Sequence, residues 1–351
     1  MRKPLLLAPD NFTPATRTPW GGSRIPGLYK QGVLPGGAPP RVGESWEISV
    51  EPDFPARLDE TGELLGDVIA RDPLGWLGVE AERGGTSTAL LVKLLDAADD
   101  LSVQIHPRDD YAGLAPGEAG KPESWYVLDR EVGAVLHLGL REGVTRAQVA
   151  ETIAEDGDVS ALLFRVPVDP GDFFRIDAGT PHAIGRGITL VEPQHVTPGL
   201  RGVTYRYWDW NRRYDDEGRQ DARGRPRALH VEHALAVTAW DAPRGDSFLR
   251  GARLRARVPA VAGPARIDVL AGPGGLESEH LRVSRWVGTG TLDAPADDLL
   301  RGVTVVGGEV RLAGPSGTVA VGRGRSAVLP ARGEELRIEL ARAHAIVCSV
   351  A

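Results

Sequence analysis

Apolar positions recur at helical spacing in only a few parts of the chain. The first, residues 64–77, predicts a short helix and its continuation. The second, residues 149–163, follows Thr145 and Gln148, which form the sequence pattern of a capping box at a helix start. A third short helix is expected near 231–237.

Most other apolar segments have the length and alternation of strands. They are residues 89–95, 101–106, 124–128, 173–177 and 188–191. From about residue 242 onward, further short apolar segments alternate with glycine: 303–306, 310–312, 319–321, 326–329, 336–340 and 345–350. The pattern predicts a mainly β protein with a larger first domain, with helical insertions, at 1–240. Residues 241–351 are expected to form a smaller C-terminal β-barrel or sandwich with a structural role.

Composition narrows the class of protein. The 351 residues include 41 Lys plus Arg against 48 Asp plus Glu, so 41 − 48 gives a net charge of −7, which argues against a nucleic-acid partner. The 44 Gly and 27 Pro suit many short strands joined by turns, and the charged stretch 211–227 is expected to be an exposed loop. No segment has the length of a signal peptide or membrane span, so we expect a cytoplasmic protein without a membrane partner.

The single cysteine, Cys348, excludes an internal disulfide and a cysteine-based zinc site. Any metal must therefore be held by histidine, carboxylate or amide groups. Alternate residues of a strand face the same side, so Gln104 and His106 project together. Glu123 begins the next aromatic strand, and His182 lies in a glycine-flanked turn. Taken singly, each is better explained as a structural or surface residue, but the set Gln104, His106, Glu123 and His182 suits a catalytic zinc or similar divalent ion.

Four segments in a fixed order carry a resemblance to a known family. They are Lys-Leu-Leu-Asp-Ala-Ala-Asp-Asp-Leu-Ser-Val-Gln-Ile-His-Pro at 93–107, Gly-Lys-Pro-Glu at 120–123, Ala-Gly-Thr-Pro-His-Ala-Ile-Gly at 178–185 and Thr-Tyr-Arg-Tyr-Trp-Asp-Trp at 204–210. Together with residues 20–22 and 43–48, they resemble type I mannose-6-phosphate isomerases of the short bacterial form, over roughly residues 15–240. The resemblance implies a double-stranded β-helix, or cupin, fold with a few short helices. It also implies one Zn²⁺ per chain, held by Gln104, His106, Glu123 and His182.

The same resemblance implies a reaction. Such enzymes interconvert mannose 6-phosphate and fructose 6-phosphate by moving a proton between C2 and C1 through an enediol. The reaction needs a positive centre near the developing oxyanion, a base that works near neutral pH, and a cationic pocket for the phosphate. The implied substrate partner is therefore a small sugar phosphate, and the chain is expected to be a monomer or weak homodimer.

The residues implied for that site are Lys93, Lys121, Glu192 and Arg206, with Ser102 near the phosphate. We expect Glu192, and after it Lys121, to carry the proton, and Arg206 to hold the phosphate or the oxyanion. The plain alternatives are a snorkelling edge lysine at Lys93 and an exposed turn lysine at Lys121.

The segment from Glu192 to Arg206 departs from the family pattern. It spans 206 − 192 = 14 residues, about four more than short members have, and it lacks their Ser-Asp pair. Because of this departure, the resemblance supports the roles of Glu192 and Arg206 less strongly than those of the four zinc ligands. His195, within this segment, is either a new active-site group or a surface residue, and we expect the latter.

Three other functions compete with an isomerase. A non-catalytic zinc cupin could bind sugar phosphate as a sensor or regulator, which the altered segment permits. An iron-dependent cupin dioxygenase usually has two or three histidines and a carboxylate, whereas Gln104 and the lysines favour redox-neutral chemistry on an anion. In a purely structural β protein the polar residues would be incidental. The sequence contains no Gly-Lys-Ser/Thr phosphate-binding loop, so nucleotidyl transfer is not indicated.

Overall fold

The computed structural model describes residues 2–34, 36–37, 39–255, 263–294 and 297–351. Its strands are β1 (Leu5–Leu6), β2 (Glu44–Ile48), β3 (Leu90–Asp96), β4 (Val103–Ile105), β5 (Glu118–Ala119), β6 (Glu123–Arg130), β7 (Val135–Leu140), β8 (Leu163–Pro167), β9 (Phe173–Ile176), β10 (His182–Ile184), β11 (Ile188–His195), β12 (Arg201–Gly202), β13 (Tyr205–Trp208), β14 (Arg253–Leu254), β15 (Arg266–Ala271), β16 (Leu281–Asp293), β17 (Arg301–Gly314), β18 (Gly317–Gly322), β19 (Ser326–Leu329) and β20 (Arg337–Val350). Its α-helices are α1 (Leu65–Arg71), α2 (Pro73–Leu77), α3 (Val79–Glu82), α4 (Arg146–Ala154), α5 (Val231–Val237) and α6 (Gly245–Ala252). The prediction of a mainly β protein is confirmed.

Two antiparallel sheets carry the segments that contain the predicted site residues. Sheet I has the order β13-β4-β10-β7-β8, and sheet II has the order β14-β9-β6-β11-β3-β2. Apolar side chains from both sheets, among them Trp125, Leu138 and Leu190, form one buried core. This arrangement agrees with the fold that the resemblance implies, while closure into a barrel stays a prediction.

A third sheet contains most of the final third of the chain. Sheet III has the order β1-β19-β17-β20-β16-β15, with β18 paired to β17. The N-terminal strand β1 belongs to it, with Leu5 opposite Val328, whereas β14 pairs with β9 of sheet II. Sheet membership therefore crosses residue 240 in both directions, and the domain boundary there stays a prediction.

Sheets II and III also share a core. Tyr126 and Val191 of sheet II pack in one buried cluster with Ile346 and Cys348 of sheet III. Cys348 is a free, buried thiol, as its apolar surroundings predict. The final third of the chain thus packs against the strands that carry the site.

Two strands of sheet III are longer than the sequence predicts. Segments 303–306 and 310–312 are predicted as separate strands, but β17 is continuous over both, and β20 likewise joins 336–340 to 345–350. The pairing of β17 with β20 shifts register on both sides of Gly307, and Gly308 has a φ of +63°. The glycines here make a β-bulge instead of a turn, so the strand bends and continues.

The predicted helices near 64–77 and 231–237 are confirmed as α1, α2 and α5. The capping box of α4 is present, since Gln148 N donates to Thr145 Oγ1 and Thr145 N donates to Gln148 Oε1. The extension of this helix to residue 163 is wrong, because α4 ends at Ala154 and Leu163 begins β8. Helix α6 was not predicted. Among the described residues, no helix is long and apolar enough to cross a membrane.

The charged stretch 211–227 is exposed over most of its length, but two of its arginines are not solvated. Arg212 and Arg227 each place a guanidinium nitrogen on Asp209 Oδ1, at 2.8 and 2.5 Å, and Asp209 is buried. The expectation of a purely solvated loop is therefore wrong at these two positions. Their charges fix the loop to the end of β13.

Candidate active site

Neighbouring strands of sheet I bring three predicted residues to one place. Gln104 lies on β4, and its Cα pairs with that of His182 on β10 and that of Arg206 on β13. His106 follows the end of β4, on the same side as Gln104. Strand order alone thus brings side chains far apart in sequence to within a few ångströms.

His106, Glu123 and His182 form a buried cluster. Their ligand atoms all lie within 4.8 Å of one another. His106 Nε2 is 3.1 Å from Glu123 Oε2, and His182 Nε2 is 3.5 Å from Glu123 Oε1. The three side chains are at most 2% exposed.

The protonation of the two histidines suits a metal ion. The Nδ1–H of His106 donates to Val203 O and that of His182 donates to Thr180 O, both at 2.9 Å. Each Nε2 is therefore an unprotonated acceptor, buried and without a hydrogen-bond donor. Burial lowers the pKa of His106 and lowers that of His182 to about 4, so both rings are neutral. Two bare imidazole nitrogens and a carboxylate facing one another are the donor set that a divalent cation such as zinc takes.

Glu123 is ionised at this site. Burial alone would raise its pKa, but the positive charge of neighbouring groups such as Lys121 holds the pKa of this carboxyl well below its usual range. Gln104 lies beside the cluster through its pairing with His182, and its Oε1 accepts a hydrogen bond from Ser102 Oγ at 3.5 Å. Its role as a fourth ligand stays a prediction.

A line of charged side chains runs from the cluster across sheet II. Lys93 on β3 is 6% exposed and lies 3.5 Å from Glu192 Oε2 and 3.8 Å from Glu44 Oε2, measured from Nζ. The same ammonium sits 4.5 Å from the ring centroid of Trp46. Lys93 is therefore enclosed by carboxylates and an aromatic face, and the snorkelling alternative does not describe it.

Glu192 and Glu123 are linked through one indole. Trp125 Nε1 donates to Glu123 Oε1 at 3.1 Å and to Glu192 Oε1 at 3.0 Å. Burial, together with the charge of Glu123, raises the pKa of Glu192 to about 7. A carboxyl with this pKa can take up and release a proton near neutral pH.

The remaining predicted residues lie at the edge of the same site. Lys121 Nζ is 3.8 Å from Glu123 Oε2, and its side chain is 12% exposed, so the alternative of an exposed turn lysine is wrong. Arg206 Nε donates to Ser102 Oγ at 3.0 Å, and its NH1 donates to Ala228 O at 2.9 Å. The structure thus places all nine predicted residues in one contiguous group, and their roles stay predictions.

Comparison with known proteins indicates the family to which the chain belongs. The probable mannose-6-phosphate isomerase GmuF of Bacillus subtilis is 30% identical over 324 residues, which cover 91% of this chain and 92% of that protein. The chain belongs to the mannose-6-phosphate isomerase family. The type I resemblance is confirmed, and the match extends beyond residues 15–240 into the final third. No protein-family model matches the chain.

Further relatives agree with this family. The mannose-6-phosphate isomerase of Streptococcus mutans is 36% identical over 229 residues, covering 64% of this chain and 65% of that protein. The solved mannose 6-phosphate isomerase of Bacillus subtilis has a TM-score of 0.78 and 25% identity, with 99% of each chain covered. A solved mannose 6-phosphate isomerase bound with zinc and yttrium shares the fold, at a TM-score of 0.68 and 14% identity.

Four residues of this family member line the site without having been predicted to do so. They are Glu44, Trp46, Trp125 and Gln194. The signal that would have found two of them is strand alternation, since Trp125 follows Glu123 by two residues and Gln194 follows Glu192 by two. The other two, Glu44 and Trp46, lie within residues 43–48, which carry part of the resemblance.

The long segment between Glu192 and Arg206 folds back onto the site. Its middle forms β12, which pairs in parallel with β5, so that Gly202 lies opposite Ala119. A Cβ on Gly202 would lie 3.0 Å from Lys121 Cδ. His195 is half-buried, not a free surface residue: its ring centroid is 5.0 Å from that of His280, and burial lowers its pKa to about 4.

Proposed function

We propose that this protein is a metal-dependent aldose–ketose isomerase that interconverts mannose 6-phosphate and fructose 6-phosphate. The observation that carries the proposal is the continuous set of contacts from the His106–Glu123–His182 cluster through Trp125 to Glu192 and Lys93. This set consists of candidate metal ligands, a carboxyl whose pKa is about 7, and a buried cation. A sugar-phosphate isomerase requires each of them.

One Zn²⁺ per chain is proposed for the cluster, with Gln104 as the fourth ligand. The neutral Nε2 atoms and the ionised Glu123 fit this ion. When bound, zinc supplies positive charge that polarises the oxygens at C1 and C2 of the sugar. The rest of the proposal concerns the chain's own residues.

Glu192 is proposed to move the proton between C2 and C1. As a carboxylate it takes the proton from C2 of the aldose, and as the acid it returns that proton to C1 of the resulting enediol. A second proton passes between the oxygens on C1 and C2, so that the sugar neither gains nor loses atoms. Lys121 is the second candidate, since burial and the neighbouring Lys93 lower its pKa.

The substrate phosphate is a dianion and needs fixed positive charge. Arg206 and Ser102 are joined by a hydrogen bond and together offer guanidinium and hydroxyl donors. Lys93 and Lys121 add charge deeper in the site, where the net −7 of the whole chain has less influence than these local cations. The proposal includes a cytoplasmic monomer or weak homodimer without nucleic-acid or membrane partners.

The test is an assay of fructose 6-phosphate formation from mannose 6-phosphate, run on the purified protein, after chelation, and after zinc is added back. Turnover that chelation removes and zinc restores is expected. His106→Asn should lose both bound zinc and turnover, whereas the matched change His280→Asn, outside the cluster, should lose neither. Zinc binding with tight sugar-phosphate binding but no turnover would instead support the sensor function.

A further inference from the structure

Gln194 is a buried amide that touches a proposed metal ligand. It lies on β11 with its Cα paired across the strand to Glu123, and it is 1% exposed. Its Nε2 donates to Glu123 Oε2 at 2.7 Å, the shorter of the two N–H contacts to that carboxylate. The position is outside the set that the sequence predicted for the site.

Two N–H donors fix the rotation of the Glu123 carboxylate. Trp125 Nε1 donates to Oε1 at 3.1 Å, and Gln194 Nε2 donates to Oε2. A carboxylate has about four lone-pair directions, so two remain free toward His106 and His182. Removing either donor would let the carboxylate turn away from the two bare Nε2 atoms. Partners of this kind orient metal ligands in many metal sites.

The direction of the Gln194 amide follows from its hydrogen bond to Glu123. The Glu123 oxygen that Gln194 contacts accepts the hydrogen bond, so the NH₂ group of the amide, and not its oxygen, faces it. Oε1 then points the other way, and it is buried without a hydrogen-bond donor among the described residues. A buried carbonyl oxygen is costly unless a donor reaches it. The hydroxyl groups of a bound sugar are donors of the required kind.

We propose that Gln194 is a positioning residue with two contacts. Its Nε2 holds Glu123 in the orientation that binds metal, and its Oε1 accepts a hydrogen bond from a hydroxyl group of the sugar phosphate. The second contact rests on the proposed isomerase function, whereas the first concerns metal binding alone. If Gln194 were purely structural, replacing it would change the stability of the protein but neither its zinc affinity nor its binding of the sugar phosphate.

The variant Gln194→Met keeps the length and burial of the side chain and removes both contacts. Gln148→Met, the same substitution in the exposed capping box of α4, is the matched control. Zinc affinity is measured without substrate, by competition between the metal-free protein and a coloured chelator. The dissociation constant of Gln194→Met should rise at least tenfold, and that of Gln148→Met should stay within twofold of wild type.

Thermal unfolding of the metal-free proteins shows whether the fold is intact, and Gln194→Met should then show a smaller zinc-induced rise in Tm than wild type. At saturating zinc, its KM for mannose 6-phosphate should rise at least fivefold. Zinc affinity within twofold of wild type would overturn the positioning of Glu123, and an unchanged KM would overturn the sugar contact. Wild-type protein that binds zinc but turns over no mannose 6-phosphate would refute the proposed function and leave the zinc comparison valid.

Discussion

At the scale of single residues, the site contains two lysines, one buried and one largely buried, whose neighbours shift their pKa values in opposite directions. Burial lowers the pKa of Lys93, but Glu44 and Glu192 outweigh that effect, so its pKa is raised. Burial and the charge of Lys93 both lower the pKa of Lys121. Lys93 is thus a permanent cation, suited to an anionic substrate. Lys121 can lose its proton more readily, and the same residue type therefore serves two purposes.

Glu192 leads to a prediction about pH. Its carboxylate form is the proposed base, and burial raises its pKa to about 7. Turnover should therefore rise with pH and level off once Glu192 is ionised. The midpoint of this rise should lie at or below pH 7, because a bound divalent cation nearby lowers the pKa of Glu192 further. Glu192→Gln should lower kcat about 10²- to 10⁴-fold and abolish this acid limb. The measurement is kcat/KM against pH with the zinc content checked at each point.

A matched control for this prediction is Glu80→Gln. Glu80 is also a carboxyl whose pKa burial raises, but it accepts hydrogen bonds from Ala89 N and Thr88 Oγ1, away from the cluster. This variant should keep the wild-type profile. An acid limb that survives in Glu192→Gln would assign the proton to Lys121 or another group.

Residue positions in the site were predictable to the extent that strand alternation determines them. The pairing of Gln104 with His106 on one face follows from spacing, and the same rule extends to Trp125 and Gln194. Nothing in the spacing indicates that Trp125 would bridge Glu123 and Glu192, because that contact depends on the register of β6 against β11. Register between strands distant in sequence is set by packing of the whole sheet.

At the scale of elements, the long segment after β11 is part of the site wall. Strand β12 is held to β5 by hydrogen bonds from Arg201 N to Gly117 O and from Val203 N to Ala119 O, at 2.8 and 3.0 Å. This pairing brings Gly202 against the alkyl chain of Lys121. The additional residues therefore form an ordered support for a proposed catalytic lysine.

Gly202→Ala tests that support. The new methyl group would lie 3.0 to 3.2 Å from three carbons of Lys121, so the lysine must shift by a few tenths of an ångström. We expect kcat/KM for mannose 6-phosphate to fall about two- to tenfold, with a stability change of less than about 1 kcal/mol. Gly322→Ala is the control, since a Cβ there meets nothing within 4 Å. Equal kinetics in the two variants would mean that this segment does not position Lys121.

The type of an element was predictable where a short sequence pattern determines it. It was less predictable at glycines, which occur both in turns between strands and in bulges within a strand. The capping box of α4 is local, and it is present. Gly307 and Gly308 separate two predicted strands, yet they form a bulge within β17, because β20 pairs with β17 on both sides of them. The residues of β17 alone do not indicate that β20 pairs with them along this length.

At the scale of the whole molecule, sheet III is linked to the strand that begins with Glu123. Tyr126 on β6 donates from its hydroxyl to His344 Nε2 on β20 at 3.0 Å, and Arg285 NH1 donates to the same hydroxyl at 3.1 Å. Arg285 in turn pairs with Asp268 at 2.5 Å. Tyr126 points away from the site, since Glu123 and Trp125 occupy the other face of β6. Sheet III therefore supports β6 on the face opposite to the candidate site.

This link makes stability depend on pH. His344 must be neutral to accept from Tyr126, and burial together with Arg285 lowers its pKa from 6.5 to about 4. As pH falls below 6.5, the unfolded chain takes up a proton at this position and the native protein does not, so the free energy of unfolding decreases down to about pH 4. The full effect is at most about 3 kcal/mol, and less to the extent that solvent reaches the half-buried ring.

His344→Gln isolates this contribution, because an amide oxygen can still accept from Tyr126 and does not titrate. His182 and His195 also have lowered pKa values, so both proteins lose stability in acid, but the wild type should lose more. The wild type's advantage over His344→Gln, measured by urea unfolding of the metal-free proteins, should be constant above pH 7 and shrink between pH 6.5 and about 4. Parallel stability curves over that range would show that His344 takes up its proton in the native protein as readily as in the unfolded chain. The hydrogen bond that joins sheet III to the site strand would then not exist in solution, and the support of β6 would have to rest on the shared core of Tyr126, Val191 and Ile346 alone.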